Sequence, residues 1–454
     1  MYSELIKKLL TRQVYCLFIF NTYNRQQSRE AVVYLHNLIQ SLKNLNKMIR
    51  KSFDNSTCVE EVNIIPEIYD MFDEIVENRR WFHQNPELSF QEFKTSAKIV
   101  EILKSYGITE IYEKVGKTGV VAMINGSTSG PCIALRADMD ALPITETADI
   151  PYKSQNVGVS HMCGHDGHIS GLLAAAKVLF NQREKLKGSV KLIFQPAEEG
   201  YGGAAEMIKD GVLNDGPLGP YVTEIYGIHL WSYDSLGNIG CQNGPVMAAS
   251  DMFHIDVYGK GGHGAAPQGT VDAIVESAAV VTALQTIVSR NKDPLESGVV
   301  TCGTIGGGFA YNVIADHVKI SGTARSFTPA TRNLIKCRMG EICCGVAATY
   351  GGKIDLNYKQ GYPPTVNSHP TCVQKVHEAG SYIVGTSRNA MPQKTMGAED
   401  FSYFMLERPG CFIFVGCALP GELRPHHKSV FDFDENALMI SSSLFIQIIR
   451  NILF

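Results

Sequence analysis

The stretch Val190-Lys191-Leu192-Ile193-Phe194-Gln195-Pro196-Ala197-Glu198-Glu199-Gly200 decides how this chain is read. Its first five residues are almost continuously apolar, the pattern of a strand buried on both faces. The next six carry a Pro, a Gly and two adjacent carboxylates, so the strand ends abruptly in an acidic loop. Alone, Glu198-Glu199 would read as a solvated turn. In an α/β sheet, however, loops at strand C-termini are where reactive residues gather.

Working outward, the same style recurs. Ile169, Leu172, Leu173, Ala176 and Phe180 share one helical face, and Pro131 to Leu135 reads as another strand. Gly119 to Ile124 is a strand closed by an Asn125-Gly126 turn. Phe93 to Tyr106 is a helix ended by Gly107, and Ile68 to Phe82 a helix closed by His83-Gln84-Asn85-Pro86. This alternation favours an α/β layered fold. Near residue 246 the style changes. Phe253 to Tyr258 alternates like a half-exposed strand, followed by a helix over Val271–Arg290, strands over Val299–Ile305 and His317–Arg325, and a helix over Arg332–Thr349. That order suits a small α+β unit with two helices on one face of an antiparallel sheet. The α/β style resumes after Tyr362. The expected organisation is a domain of residues 61–245 and 363–454, interrupted by an inserted domain of residues 246–362, with residues 1–60 as an unassigned tail.

Composition bounds the function. The 454 residues are 44% hydrophobic and 19% charged, ordinary values for a globular protein. The formal charge is −4, which gives no basic footprint for nucleic acid. Lys7, Lys8 and Arg12 precede the apolar run Val14–Phe20, but that run is far short of the roughly 18–20 residues that cross a bilayer. No small-x-small cleavage site follows it. No membrane span is expected, and the segment is read as a tail or amphipathic helix, with Ile39, Leu42, Leu45, Met48 and Ile49 at helical spacing. Twelve Cys, two of them adjacent at Cys343-Cys344, argue against a disulfide framework and for a reducing, cytoplasmic compartment.

The densest polar cluster is His161-Met162-Cys163-Gly164-His165-Asp166-Gly167-His168, just before a helix. Thiolate and imidazole suit zinc-like ions, and carboxylates admit manganese or cobalt. Gly164 and Gly167 let the loop bend so that side chains converge. Three other segments add acids and imidazoles: Leu135-Arg136-Ala137-Asp138-Met139-Asp140 after an apolar strand, His229 within the apolar strand Ile225–Trp231, and Pro425-His426-His427 in the C-terminal part. Read singly, His229 would be a core histidine bonded to backbone.

Five ordered motifs carry a resemblance: Leu135–Pro143, Cys163–His168, Phe194–Gly200, Gly259–Pro267 and Gly397–Phe401. Over about residues 65–450 the chain resembles the M20 metallopeptidase family. It is closest in kind to the amidohydrolase branch, with its hippurate hydrolases, N-acyl-amino-acid aminoacylases and indoleacetyl-amino-acid hydrolases. The resemblance implies an aminopeptidase-like α/β catalytic domain holding two divalent metal ions (Zn, Mn or Co), with an inserted lid and dimerisation domain. It implies Cys163, His165, Glu199, His229 and His427 as metal ligands, Glu198 as general acid/base, and Asp140 as the acid that supports the metal site. His427 is preferred to His426 because it stands four residues before Phe431, although Lys428-Ser429 departs from the small-Pro pair common there.

It further implies substrate contacts from the inserted domain. His263 would reach a partner subunit's active site, and Asn312 and Arg325 would bind the substrate carboxylate. The implied reaction is hydrolysis of a small N-acyl amino acid to a carboxylic acid and an amino acid, by a homodimer paired through the inserted domain. Two alternatives stay open: a dipeptidase or carboxypeptidase on the same scaffold, and a metal-binding family member without activity.

Overall fold

The strands of the central sheet are apolar on both sides, and their alternation shows why. In Thr128–Asp138, Ile133, Leu135 and Ala137 enter one hydrophobic core while Cys132 and Ala134 enter another. Val190, Leu192 and Phe194 of Lys187–Gln195 join the first core, and Ile193 joins the second. A sheet built this way must be covered on both faces. The computed structural model, which describes residues 62–390 and 394–454, shows that covering. Helices Phe72–Gln84, Phe93–Ser105, His165–Asn181, Pro370–Val384 and Ala437–Leu453 fill one side, and the shorter Gly203–Lys209 and Phe401–Glu407 the other. The apolar run at 14–20, the helical spacing at 39–49 and the tail 1–60 lie outside the described residues.

The sheet has eight strands in the order Ile111–Val115, Gly119–Asn125, Lys187–Gln195, Thr128–Asp138, Val222–Ser235, Gly410–Ala418, Ile239–Gly240 and Asn389–Ala390. The four central ones, from Lys187–Gln195 to Gly410–Ala418, run parallel. Asp138 and Gln195 therefore end neighbouring strands side by side, and the loops beyond them open on the same edge.

Residues 249–360 build a separate antiparallel sheet, ordered Gly298–Gly307, His317–Ser326, Ala249–Tyr258 and Lys353–Gln360. Helices Ala273–Thr286 and Pro329–Tyr350 pack on it, and Phe253, Ile255, Val257, Val280, Leu284, Ile320, Ile335 and Met339 form its own core. The fold is thus α/β with an inserted α+β unit. Among the described residues, Ala273–Asn291 is long and apolar enough by composition to cross a membrane. Val280, Leu284 and Ile287 of this helical stretch are fully buried in the unit's own core, but only a third of the stretch is buried, and Ile274 and Val275 stay about half exposed.

Three local expectations are corrected. The helix over Ile68–Phe82 is two helices, Pro66–Asp70 and Phe72–Gln84, because Met71 leaves helical geometry at φ −105° and ψ 15°. The inserted sheet has a closing strand, Lys353–Gln360, that its many polar residues concealed. The helix after the His/Cys cluster starts at His165, so the cluster is half loop and half first helical turn. Gly164 caps that helix at φ +90°, a left-handed conformation that favours glycine.

Candidate functional site

The histidine ring nitrogens define the site, because most of their proton positions follow from their partners. A carbonyl only accepts. His229 Nδ1, 2.7 Å from the Leu230 carbonyl, therefore carries its proton and leaves the Nε2 lone pair free. That Nε2 lies 3.6 Å from Cys163 Sγ. His165 Nδ1 likewise donates to the Asp140 carbonyl at 2.9 Å. Its Nε2 is buried with no hydrogen-bond partner, 3.6 Å from Asp138 Oδ2 and 4.0 Å from Glu199 Oε1. Glu199 Oε1 is also buried without a hydrogen bond, with His427 Nε2 at 3.3 Å outside hydrogen-bonding geometry.

His426 and His168 differ from these. Ser232 N–H donates to His426 Nε2 at 3.1 Å, and Leu230 N–H donates to His168 Nε2 at 2.9 Å. His168 must then carry its proton on Nδ1, which donates to Asp138 Oδ1 at 2.6 Å. His168 thus has both ring nitrogens engaged, and His426 keeps a buried Nδ1 without a partner, but of the adjacent pair it is His427 that joins a Cys163 donor set.

Among the described residues, five groups of donor atoms lie close enough to share an ion, and two of them contain Cys163. Cys163, His165 and His229 form one and Cys163, Glu199 and His427 the other, with all donor atoms of a set within 4.8 Å of one another. The donor chemistry is thiol, imidazole and carboxylate, and the unpartnered buried atoms at His165 and Glu199 are what a bound cation would satisfy. These residues fit divalent ions. Electrostatics agree. Burial disfavours charge on His165, yet Asp138, Asp140 and Glu199 raise its ring to about 10, so the pocket favours positive charge there. Burial holds His229 neutral, with His168 and His426 adding to the effect. Burial, with Glu199 and Glu198, raises the Cys163 thiol well above its ordinary value.

The Glu198-Glu199 loop is held by its backbone. Asp140 Oδ1 accepts from Glu198 N–H at 3.1 Å, and Oδ2 accepts from Glu199 N–H at 3.0 Å and from Ser89 Oγ at 2.6 Å. Buried Glu92 accepts from Ala197 N–H at 2.9 Å. Ala197 sits at φ +53° and His427 at φ +60°, so backbone strain concentrates beside both loops. Glu198 itself is buried, and burial, then Glu399 and Glu199, push its carboxyl well above the usual range.

Sequence reasoning missed the layer beneath. Arg136, wholly buried, bonds Gln195 Oε1, Asp138 Oδ2, Glu399 Oε1 and Asp400 Oδ1 at 2.7–3.1 Å. Arg79 ties Asp166 to Asp432 at 2.8 Å each, joining the cluster's helix to the segment after His427. Asp138 was legible as the first acid at its strand end, and Glu399-Asp400 as a quoted motif. Nothing in the local sequence pointed to Arg79.

His263, Asn312 and Arg325 lie on the inserted unit. His263 pairs with Val313, and Gly264 N–H donates to the Asn312 carbonyl at 2.8 Å, so the first two are neighbours on an exposed ribbon. Arg325 has a buried Nη1 with no hydrogen bond. Among the described residues, no hydrogen bond or ion pair joins these three to the Cys163 cluster.

A sequence profile for peptidase family M20/M25/M40 matches residues 134–451. The N-acetyl-L-cysteine deacetylase of Bacillus subtilis is 40% identical over 367 residues, covering 80% of this chain and 84% of that protein. Thermostable carboxypeptidase 2 of Saccharolobus solfataricus is 39% identical over 384 residues, covering 83% and 94%. Among solved structures, the YXEP protein of Bacillus subtilis, described as a dinuclear metal binding peptidase from the M20 family, is similar with a TM-score of 0.73. It is 32% identical, covering 85% of this chain and 99% of that one.

Proposed function

From the premise that the chain belongs to peptidase family M20/M25/M40, we propose that it is a metal-dependent amidohydrolase acting on N-acyl amino acids, releasing a carboxylic acid and an amino acid. The observation that carries this reading is the pair of unpartnered donors, His165 Nε2 and Glu199 Oε1, buried beside the Glu198 carboxyl. Cys163, His165, Glu199, His229 and His427 would hold two divalent ions, with zinc, manganese and cobalt all compatible with the donors. When bound, such ions supply Lewis acidity and acidify water.

The chain's own residues supply the rest. Glu198 takes a proton from the attacking water and returns it to the leaving amine nitrogen, and the upward push that burial gives its carboxyl raises its affinity for that proton. Asp140 positions rather than reacts, because both its oxygens are committed to the backbone of Glu198 and Glu199. Arg325 presents an unused guanidinium nitrogen for the substrate carboxylate, with Asn312 beside it in role and His263 steadying the carbonyl oxygen from a partner copy. The unit 246–362 would act as lid and as the contact between two copies. Ile274 and Val275 on its first helix remain about half exposed, as such a contact requires. The acyl group is taken as benzoyl-like or indoleacetyl-like.

A carboxypeptidase reading is supported by two thermostable carboxypeptidases of Saccharolobus solfataricus, 39% and 38% identical. One panel separates the two. Metal-reconstituted protein is given hippurate, N-acetyl and indoleacetyl amino acids and matched dipeptides, and released amino acid is measured. Release from the N-acyl compounds, abolished by chelator, is expected. Cleavage of dipeptides alone would sink the proposal.

A further inference from the structure

The inserted unit joins the rest of the chain where its strand Ala249–Tyr258 begins, at Ser250-Asp251, and through the connector Gly361-Tyr362 that follows Lys353–Gln360. They are bound tightly to each other. Ser250 N–H donates to the Tyr362 carbonyl at 3.0 Å, and a Cβ on Gly361 would lie 2.2 Å from the Ser250 carbonyl, so only glycine allows that approach. Buried Asp251 accepts from Gly361 N–H at 3.1 Å, from Tyr358 OH at 2.7 Å and from Arg332 Nε at 3.0 Å. Arg332, on the unit's second helix, also donates to the Gly361 carbonyl at 2.9 Å. The helix, the start of that strand and the connector thus form one braced junction.

From that junction the Tyr362 side chain reaches the catalytic loop. Its phenol donates to the Glu198 carbonyl at 2.6 Å and accepts from Gly202 N–H at 2.9 Å. It therefore spans the turn that begins at Glu198, which holds Gly200 at φ +93° and Gly202 at φ +71°. Asp140 grips the same turn from its amide side, so the Glu198 peptide is fixed at its N–H by the large sheet and at its carbonyl by the connector.

We propose that Tyr362 is a positioning residue that couples the Asp251–Arg332 junction of the inserted unit to the backbone of Glu198. The proposal rests on the reading of Glu198 as the proton-transfer group. A shift of the unit relative to the sheet would move the phenol and with it the carboxylate, so the loop is set for chemistry only when the junction is in register.

The test uses the full chain with Tyr362→Phe, Arg332→Gln and the double variant. Hydrogen–deuterium exchange of the segment around Gly202 is read alongside kcat and KM. Tyr362→Phe removes one oxygen and is expected to speed Gly202 exchange by about tenfold, since one protecting hydrogen bond is lost. It should lower kcat by about tenfold with KM within about twofold and metal content unchanged. Arg332→Gln should also speed Gly202 exchange, and the double variant should match Tyr362→Phe alone. If Arg332→Gln does not fold, Asp251→Asn takes its place. Wild-type exchange and kcat in Tyr362→Phe would overturn the proposal. So would an Arg332 effect of equal size with and without the phenol, because the junction would then act by another route. Exchange needs no turnover, so a wild-type protein inactive on every N-acyl amino acid would sink the amidohydrolase reading while the exchange data still decided the coupling.

Discussion

Glu92 offers a stability measurement that isolates one interaction at the edge of the site. It is fully buried at the start of the helix Phe93–Ser105. Oε1 accepts from Ala197 N–H at 2.9 Å and Oε2 accepts from Thr118 Oγ1 at 2.5 Å. Burial pushes its carboxyl from the usual 4.5 up to about 7, against the Thr118 hydrogen bond and with help from the Asp140 charge. The folded protein therefore prefers the protonated acid. The corresponding stability is fully present below about pH 4.5 and is lost as pH rises through about 7. At roughly 1.4 kcal/mol for each tenfold change in proton affinity, about 3 kcal/mol is at stake. Glu92→Gln copies the neutral acid: its carbonyl can accept from Ala197 N–H and its amide can donate to Thr118 Oγ1. In chelated protein, urea unfolding at several pH values should show the variant and wild type alike near pH 4.5. Near pH 8 the variant should be more stable by up to about 3 kcal/mol. Parallel stability curves across that range would refute the argument, since they would mean that Glu92 titrates alike in the folded and unfolded chain.

Three further outcomes are expected. Glu198→Gln should lower kcat by about 10³-fold with metal content retained, read by amino-acid release and elemental analysis, and near-normal turnover would remove Glu198 from proton transfer. Cys163 should resist iodoacetamide in metal-loaded protein and react after chelation, more readily at high pH because burial raises its thiol. Equal labelling of both forms by peptide mass would exclude it as a ligand. Arg79→Met should cost about 3–5 kcal/mol in urea unfolding, because Asp166 and Asp432 are left buried without their cation. A loss under about 1 kcal/mol would show that water or relaxation replaces the guanidinium.

The large sheet was legible because its strands are buried on both faces, so Val190–Phe194 and Pro131–Leu135 read as apolar runs with no competing pattern. The acidic loops were legible because they follow those runs directly. Lys353–Gln360 escaped because it is an edge strand whose burial alternates only between exposed and intermediate. The start of the helix at His165 escaped because its cap is Gly164, which offers no side-chain oxygen to mark it. His161 sat in the same motif as Cys163 and His165, yet both its ring nitrogens are buried without partners and it joins neither of the Cys163 donor sets. Motif membership fixes where a histidine is, but ring-nitrogen occupancy is set by distant backbone such as Leu230 and Ser232, which no local pattern encodes.

The same logic explains why the near-neutral formal charge said little about the centre. Asp138, Asp140, Glu198, Glu399 and Asp400 are all buried around a single fully buried guanidinium, Arg136. An excess of buried carboxylates is costly unless it is neutralised. In one part of the cluster Glu198, Glu399 and Asp400 are all pushed upward, chiefly by burial, so their proton affinity is raised. Asp138 and Asp140 go the other way. Despite burial they stay ionised, Asp138 through Arg136 and His165, and Asp140 through its hydrogen bond with His165. The two halves of the cluster therefore have different tasks. Glu198 lies in the half whose proton affinity is raised, which suits a carboxylate that must accept a proton, whereas His165 faces the half that holds negative charge and would stabilise a cation at its Nε2. That separation lets one small pocket hold positive charge and exchange a proton, the two requirements of amide hydrolysis by this donor set.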